Sequence, residues 1–369
     1  MSNHLDFSLS LHRQLTPPAK ENFCWSPYSV ASALGLAAAA TGGRTRAELF
    51  TALRATESNA GLTELLELLG GAADPGNLGA EDAPELAVAN TLWADEALPV
   101  EESYLQAIRD WPGSALRNTA FRSAPDQARR RINADVAETT RGLIPELLHP
   151  GTVDPDTVAA LVNALYLKAS WTEPFDEHAT EPVPFHTPWG RRDVPTMRVT
   201  RLLGYASHDG WQVVTLPTAG DVEAVVLLPD GEPGPAESGL DAARLDALVS
   251  SAGQRRIELL LPRFEVTGDA ELQRPLGALG AHTLFTPAAD FSPLTTSPLR
   301  VSAMVHQSVL RVDEHGLEGA AATAAVMRLV SAVREEEPIR VEVDRPFLFL
   351  VRHRPTGALY FLARVVDPS

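Results

Sequence analysis

A long apolar run at residues 157–169 (TVAALVNALYLKA) constrains the fold more than any other part of this sequence. The run is continuous rather than alternating, and it is too short to cross a membrane as a helix. This pattern is typical of a strand that lies in the interior of a sheet with both of its faces covered. The run contains one amide side chain, Asn163. Because a buried amide needs hydrogen-bond partners, we expect a structural role for this residue.

The order of the other elements indicates an α+β fold. Helical periodicity dominates the first part of the chain (residues 4–15, 28–40, 44–55 and 62–69), whereas strand patterns dominate later (197–205, 211–216, 222–228 and 301–312). Helices followed by strands do not form a repeating βα unit. Residues 231–239 are predicted to be a loop. At 369 residues with 44% hydrophobic residues, the chain is long enough for two average domains or one large one.

The composition argues against several classes of partner. A net charge of −17 and a pI near 5.0 disfavour a nucleic-acid or anionic-membrane surface. The basic cluster at residues 129–131 lies in a helical run and is interpreted as a solvated helix face. Cys24 is the only cysteine, so an intrachain disulfide is excluded, which fits a reducing compartment. No signal peptide is evident, so we expect a cytoplasmic location by default and leave unconventional export open.

The motifs of common enzymes are absent from the sequence. There is no G-x-S-x-G nucleophile elbow, no Walker A loop and no Rossmann glycine pattern after a strand. No pair of histidines has metal-binding spacing, and a single cysteine excludes a thiolate cage. His306 lies alone in a predicted strand, where a satisfied core histidine is the ordinary interpretation. We therefore expect no catalytic residue, no metal and no cofactor.

The stretch at residues 316–325 (GLEGAAATAA) has two opposing tendencies. Alanine favours a short helix, whereas Gly316 and Gly319 weaken one. Every second residue from Leu317 to Leu329 is uncharged, so one face of this segment would be buried as a strand without burying a charge. Residues 316–339 show no well-supported fixed element, and a span of that length within a domain is usually functional or disordered. A flexible loop and a latent strand therefore both remain open.

Five segments in order along the chain resemble the signatures of the serpin family of serine protease inhibitors. They are residues 22–49 (with Ser26-Pro27), 163–175 (NALYLKASWTEPF), 261–264 (LPRF), 306–323 (HQSVLRVDEHGLEGAAAT), and the pair 344–347 (DRPF) and 359–368 (LYFLARVVDP). The resemblance covers nearly the whole length, and the order of the segments makes it specific. Lysine occurs only at Lys20 and Lys168 among 31 basic residues, which indicates a GC-rich coding genome, and we expect a prokaryotic-type member.

The resemblance implies a single domain over residues 1–369, with three β-sheets, including a large central sheet A, and eight or nine helices. An exposed reactive-centre loop at about 314–339 would be bait for a serine protease. After the protease acylates on the loop, the cut loop would insert between the strands at 157–169 and 301–312, and the metastable monomer would trap the protease as a suicide substrate. Loop insertion of this kind is an established example of a switching transition.

The resemblance also assigns roles to particular residues. Counting from Glu314 places the reactive bond at Val330-Ser331, which favours an elastase-like protease. Leu329 is an alternative, and Arg328 or Arg334 would point to trypsin-like proteases. The hinge would comprise Glu314, Gly316, Leu317, Glu318, Gly319, Ala320, Ala321, Ala322 and Thr323. Ser26, Ser29, Asn163 and His306 match the polar cluster that governs parting of the central strands, and Trp171 matches the tryptophan where the hinge first enters.

Two hinge residues depart from the pattern of inhibitory members. Leu317 stands where a threonine or serine is usual, and Gly319 where an alanine is usual. A bulky residue and a poor strand former would slow insertion, although neither buries a charge. The alternative function is therefore a non-inhibitory serpin-fold protein, a chaperone or binding module, that a protease cleaves as a plain substrate.

Overall fold

A computed structural model of the chain describes residues 2–16, 20–76, 83–109, 111–301, 304–317 and 337–369. Their α-helices are α1 (Ser2–Leu15), α2 (Pro27–Ala40), α3 (Gly43–Ala52), α4 (Asn59–Gly71), α5 (Glu102–Ala107), α6 (Pro125–Thr139), α7 (Pro233–Ser238), α8 (Ala242–Ser250) and α9 (Gln273–Ala278). Short 3-10 helices lie at Glu177–Ala179 and Thr283–Phe285. Within these ranges, no helix is long and apolar enough to span a bilayer.

The strands run almost throughout the chain. They are β1 (Phe23–Trp25), β2 (Glu85–Asp95), β3 (Ser114–Thr119), β4 (Ala159–Ser170), β5 (Glu181–Thr187), β6 (Gly190–His208), β7 (Trp211–Pro217), β8 (Val222–Pro229), β9 (Gly253–Pro262), β10 (Phe264–Glu271), β11 (Met304–Val312), β12 (Gly316–Leu317), β13 (Ile339–Glu342), β14 (Phe347–His353) and β15 (Leu359–Val365). The α+β class is confirmed.

The predicted central strand is β4, and it lies inside a six-stranded sheet of order β10-β11-β12-β4-β2-β3. One face of this sheet packs on α2, whose side chains are nearly all buried, and the other face packs on α6. Odd-numbered residues of β4, such as Leu165 and Leu167, belong to the larger hydrophobic core, whereas Val162 and Ala164 belong to a second core under α6. Both faces of β4 are therefore covered, as its continuous apolar sequence predicts.

Helix α2 begins where the sequence predicts it. The Ser26 hydroxyl caps the helix by accepting the backbone N–H of Ser29 at 3.1 Å, and Pro27 occupies the first helical position. This start fixes Ser26 and Ser29 beneath the middle of the six-stranded sheet.

A nine-stranded sheet forms the rest of the β structure, in the order β1-β15-β14-β8-β7-β6-β9-β13 with β5 paired to β6. The 19-residue strand β6 pairs with β5 through its first half and with β7 through its last residues, while β9 pairs with its middle. The resemblance implies three sheets, but the described residues form two hydrogen-bonded sheets. The two sheets that we expected outside the six-stranded one are joined, because β6 and β9 are long enough to belong to both.

Local expectations need correction at two places. Residues 233–238 form α7 instead of lying in a loop, since Pro233 starts the helix and Glu237 is buried against Arg364 and His12. Strand β5 was not predicted from the sequence. Its two prolines hide the strand pattern and are tolerated because β5 pairs with β6 alone.

The boundaries of the predicted loop at 314–339 also change. Glu314 is buried, and Gly316–Leu317 form strand β12 inside the six-stranded sheet. At the other end, β13 begins at Ile339 and pairs with β9. We expected the exposed segment to begin at about Glu314. It begins after Leu317 at the earliest, because the chain turns back into the sheet at Glu314.

Candidate functional site

The candidate site is the seam between β4 and β11 in the six-stranded sheet. These two parallel strands are directly paired only at Met304 to His306, which lie opposite Leu161 to Asn163. Beyond that point the ladder ends, and the next shared partner is β12, where Leu317 pairs with Val312 on one side and Ala169 on the other. The seam therefore has a closed lower end and an upper end filled by β12, and in its middle no described residue pairs between the five residues of each strand.

Strand β12 runs antiparallel to both of its neighbours. A continuation of the same strand would therefore pass down the seam and bond to the facing edges of β4 and β11 at once. Leu317 is fully buried in the larger core, so Gly319, Ala321 and Thr323 would face that core in turn, with Glu318 on the opposite face. The bulk of Leu317, which we expected to hinder insertion, is accommodated at the position where the strand begins.

A tight turn at residues 313–316 reverses the chain between β11 and β12. The Asp313 side chain accepts the backbone N–H groups of His315 at 2.9 Å and Gly316 at 3.2 Å, and the Asp313 backbone N–H donates to the Gly316 carbonyl at 3.1 Å. Gly316 has φ of +157°, and a Cβ there would stand 2.2 Å from the carbonyl oxygen of Ala169. Only glycine fits this close approach.

The segment after β4 holds this turn from outside. Trp171 donates its backbone N–H to the His315 carbonyl and its indole N–H to the Asp313 carbonyl, both at 2.8 Å. Phe175 donates its backbone N–H to the Glu314 carbonyl at 2.8 Å. Trp171 thus binds two of the turn's carbonyl groups, and its role at the entry point of the hinge stays a prediction.

The side chains of the turn are anchored as well. Glu314 is buried, with 4% of the residue exposed. Its carboxylate accepts the Thr180 hydroxyl at 2.7 Å and lies 3.7 Å from the Arg263 guanidinium. His315 Nε2 lies 2.7 Å from a carboxylate oxygen of Glu177. No sequence pattern pointed to Thr180 and Glu177, because both lie in a polar segment without periodicity.

A buried polar cluster occupies the point where β4 and β11 part. His306 Nε2 accepts the backbone N–H of Ser26 at 3.0 Å, and its Nδ1 lies 3.3 Å from Asn163 Oδ1. The Asn163 amide also donates to the Ser29 carbonyl at 2.7 Å, and the Ser29 hydroxyl donates to Asn163 Oδ1. The structure thus brings together Ser26, Ser29, Asn163 and His306, the four residues expected to control strand parting.

Two members of this cluster were missed from the sequence. Asn163 donates to Asn90 Oδ1 on β2, and the Asn90 amide in turn donates to the Ser32 hydroxyl at 2.7 Å. Ser32 follows Ser29 by three residues on α2, and that helical spacing was a usable signal. Asn90 lies in a strand of alternating pattern, and the sequence does not indicate that its side chain is buried.

Burial controls the ionisation of this cluster. Desolvation lowers the pKa of His306 from 6.5 to about 4, so the imidazole is neutral at physiological pH. A neutral ring accepts from Ser26 and donates to Asn163, which is the pattern that the distances require. Opening the seam must separate His306 from Asn163, because they form the last directly paired positions of β4 and β11.

Several predicted residues lie outside the described residues. These are the reactive-bond candidates and most of the hinge: Glu318, Gly319, Ala320, Ala321, Ala322, Thr323, Arg328, Leu329, Val330, Ser331 and Arg334. Their roles stay predictions. The described part of the chain contains no group of three or more metal-ligating side chains.

Comparisons with known proteins agree with this architecture. A family model described as Serpin (serine protease inhibitor) matches residues 2–368. The leukocyte elastase inhibitor of Bos taurus is 33% identical over 98% of this chain and 97% of its own length. The corticosteroid-binding globulin of Oryctolagus cuniculus is 32% identical over 99% and 95%. The crystal structure of uncleaved ovalbumin superposes with a TM-score of 0.85 at 26% identity, covering 100% of this chain and 99% of that one.

Proposed function

Because this chain belongs to the serpin family of serine protease inhibitors, we propose that it inhibits a serine endopeptidase as a suicide substrate. The observation that carries the proposal is β12, which is antiparallel to both β4 and β11 at the top of an open seam. The turn that reverses the chain for loop insertion is already formed in the uncleaved protein. The residues after Leu317 need only continue β12 between β4 and β11.

In the proposed reaction, the protease serine attacks the carbonyl carbon of Val330. The Val330–Ser331 peptide bond breaks, the new amino group of Ser331 leaves with a proton, and an ester joins Val330 to the protease. Insertion of residues 318 onward then draws the ester-linked protease along the sheet before water can hydrolyse the ester.

The energy available to such an insertion is large. A new strand between β4 and β11 would form about 10 backbone hydrogen bonds, each contributing about 1 kcal/mol net. The total of about 10 kcal/mol is comparable to the stability of an ordinary domain. That is enough to distort a bound protease, and it implies that the uncut chain is metastable.

Val330 favours a protease with a small-aliphatic pocket. The similarity to leukocyte elastase inhibitor supports an elastase-like target. If cleavage instead falls at Arg328 or Arg334, the target is trypsin-like, and Leu329 is the remaining alternative.

The test is to incubate the protein with elastase-like and trypsin-like proteases and run denaturing gels. We expect a band at the summed mass that survives denaturation, and sequencing of the released C-terminal peptide should begin at Ser331. A catalytically inactive protease, with its serine replaced by alanine, serves as control and should give no such band. Cleavage by every protease tried, without any covalent complex, would contradict the proposal.

A second candidate function is a non-inhibitory serpin-fold protein. It is favoured by the similarity to corticosteroid-binding globulin and ovalbumin, and by the departure at Gly319. It predicts cleavage as a plain substrate in the same experiment, so the gels distinguish the two.

A further inference from the structure

Two cations border the seam just beyond the end of β12. The last residue of that strand, Leu317, pairs with Val312 on β11 and with Ala169 on β4. One step further along the same antiparallel register, the facing residues are Arg311 on β11 and Lys168 on β4, which directly precede those two partners. The next residue of an extended β12 would therefore pair between the two cations.

An acidic residue lies on the outer side of each cation. Glu265 on β10 is the pairing partner of Arg311, and its carboxylate lies 2.7 Å from the Arg311 guanidinium. Glu85 on β2 is the pairing partner of Lys168 and also forms an ion pair with Arg141. Because directly paired residues point to the same face of a sheet, the four side chains on these strands form one row. In strand order, the row is Glu265, Arg311, Lys168 and Glu85.

The signs of the charges in this row alternate except between the two cations. The parallel pairing of His306 with Asn163 defines an offset that would place Arg311 directly opposite Lys168 if β4 and β11 were joined at this level. Like charges in directly opposite positions destabilise a strand pair. In the part of the chain that the structure describes, Lys168 forms no ion pair that would relieve this repulsion. An anion between the two cations would remove it and restore the alternation.

The sequence supplies that anion at the required position. Residue 318 is a glutamate, and it is the only charged residue from Leu317 to Met327. Because Leu317 faces the larger core, the side chain of the next residue in a strand would point to the opposite face. On that face Arg311 and Glu265 are about half exposed, so a carboxylate placed there would keep contact with water.

We propose that Lys168 and Arg311 form a receiving site for the carboxylate of Glu318 when the loop extends β12, and that these three are positioning residues for the insertion step. The inference rests on the proposed function. After acylation, insertion competes with hydrolysis of the ester. A contact made by the first residue to enter the seam starts insertion sooner, so a larger fraction of cleavage events ends in a trapped protease.

The experiment is a mutant cycle in which the ratio of cleaved to trapped inhibitor is measured on denaturing gels. Glu318→Gln keeps the shape of the side chain and removes its charge, so the ratio should rise by about two- to fivefold, as for partly exposed ion pairs. In the double variant Lys168→Gln/Arg311→Gln, adding Glu318→Gln should not change the ratio, because its partners are absent. If Glu318→Gln changes the ratio equally in both backgrounds, or in neither, the inference is wrong.

The matched control is the double variant Arg117→Gln/Arg198→Gln. These two exposed cations pair with Asp135 and Glu258 on β3 and β6, away from the seam. The control removes the same net charge, but Glu318→Gln should raise the ratio in it as much as in the wild type. Thermal unfolding of each uncut variant checks that it is folded. If the effect of Glu318→Gln is also lost in this control, net charge is the cause and the inference is wrong.

The melting temperature of the chain cleaved at Val330–Ser331 gives a readout that does not depend on trapping. We expect Glu318→Gln to lower it by about 1–2 °C, and to leave it unchanged in the Lys168→Gln/Arg311→Gln background. If complexes form and this difference between backgrounds is absent, only the inference fails. If the difference is present and no complex forms with any protease, the proposed function fails, and Glu318 binds the two cations without serving inhibition.

Discussion

At the residue scale, Gly316 is the position that the fold tolerates least. A Cβ there would meet the Ala169 carbonyl oxygen at 2.2 Å, inside the ladder between β12 and β4. We expect Gly316→Ala to displace the turn and lower the free energy of unfolding by about 1–3 kcal/mol, measured by urea denaturation. Gly231→Ala is the matched control, since nothing lies within 4 Å of its added Cβ. Equal stability of the two variants would contradict this role for Gly316.

The buried histidines make stability depend on pH. Burial lowers the pKa of both His306 and His4 to about 4, whereas these groups take up protons near 6.5 when unfolded. Between these values the unfolded chain binds more protons, so stability is full above pH 6.5 and falls as the pH drops toward 4. Down to pH 4.5 we expect each histidine to account for about 2–3 kcal/mol of lost stability.

The measurement is the urea midpoint of the wild type and of His306→Gln from pH 7.5 to 4.5. The variant should be less stable at neutral pH, because Ser26 and Asn163 lose a partner, but its stability should fall less steeply. Parallel curves for the two proteins would show that His306 does not titrate in this window.

At the scale of elements, the open seam makes a prediction about alternate loop residues. If the loop continues β12 downward, Ala321 faces the larger core and Ala322 faces the opposite side. Ala321→Glu would bury an unpaired carboxylate between Leu165 and Ser308, which are both buried, so we expect the trapped fraction to fall by about tenfold or more. Ala322→Glu is the matched control and should retain more trapping on denaturing gels. An equal loss in both variants would argue against this register.

The sequence predicts the elements that carry strong patterns. Strand β4 and the capped helix α2 follow from continuous apolar residues and a Ser-Pro start. These signals are local, so they predict the elements without any information on tertiary contacts.

The elements that escaped prediction are those whose stability comes from tertiary contacts. Strand β12 is two residues long and exists because two parallel strands leave a space for it. Helix α7 is fixed by the buried contact of Glu237 with Arg364. In the candidate site, the family resemblance pointed to Asn163 and His306. Asn90 and Thr180 are identified only by their contacts in the folded sheet and turn.

At the scale of the whole molecule, the proposed function requires that the uncleaved chain is not at its lowest free energy. Cleavage of the loop should release residues 318 onward to fill the seam with about 10 new hydrogen bonds. We therefore expect cleavage to raise the melting temperature by on the order of 10 °C or more.

This last expectation is tested by calorimetry on the uncut chain and on the same chain cleaved at Val330–Ser331 without loss of the C-terminal peptide. That peptide carries β13, β14 and β15, which pair with β9, β8 and β1 and so should remain bound after the cut. Ala321→Glu, cleaved in the same way, is the control and should show little rise, because its loop carries a charge that the core does not accept. If the melting temperature of the wild type also does not rise, the loop does not enter the seam. The turn at 313–316 would then be a structural feature of the uncleaved chain and not the start of an inserted strand.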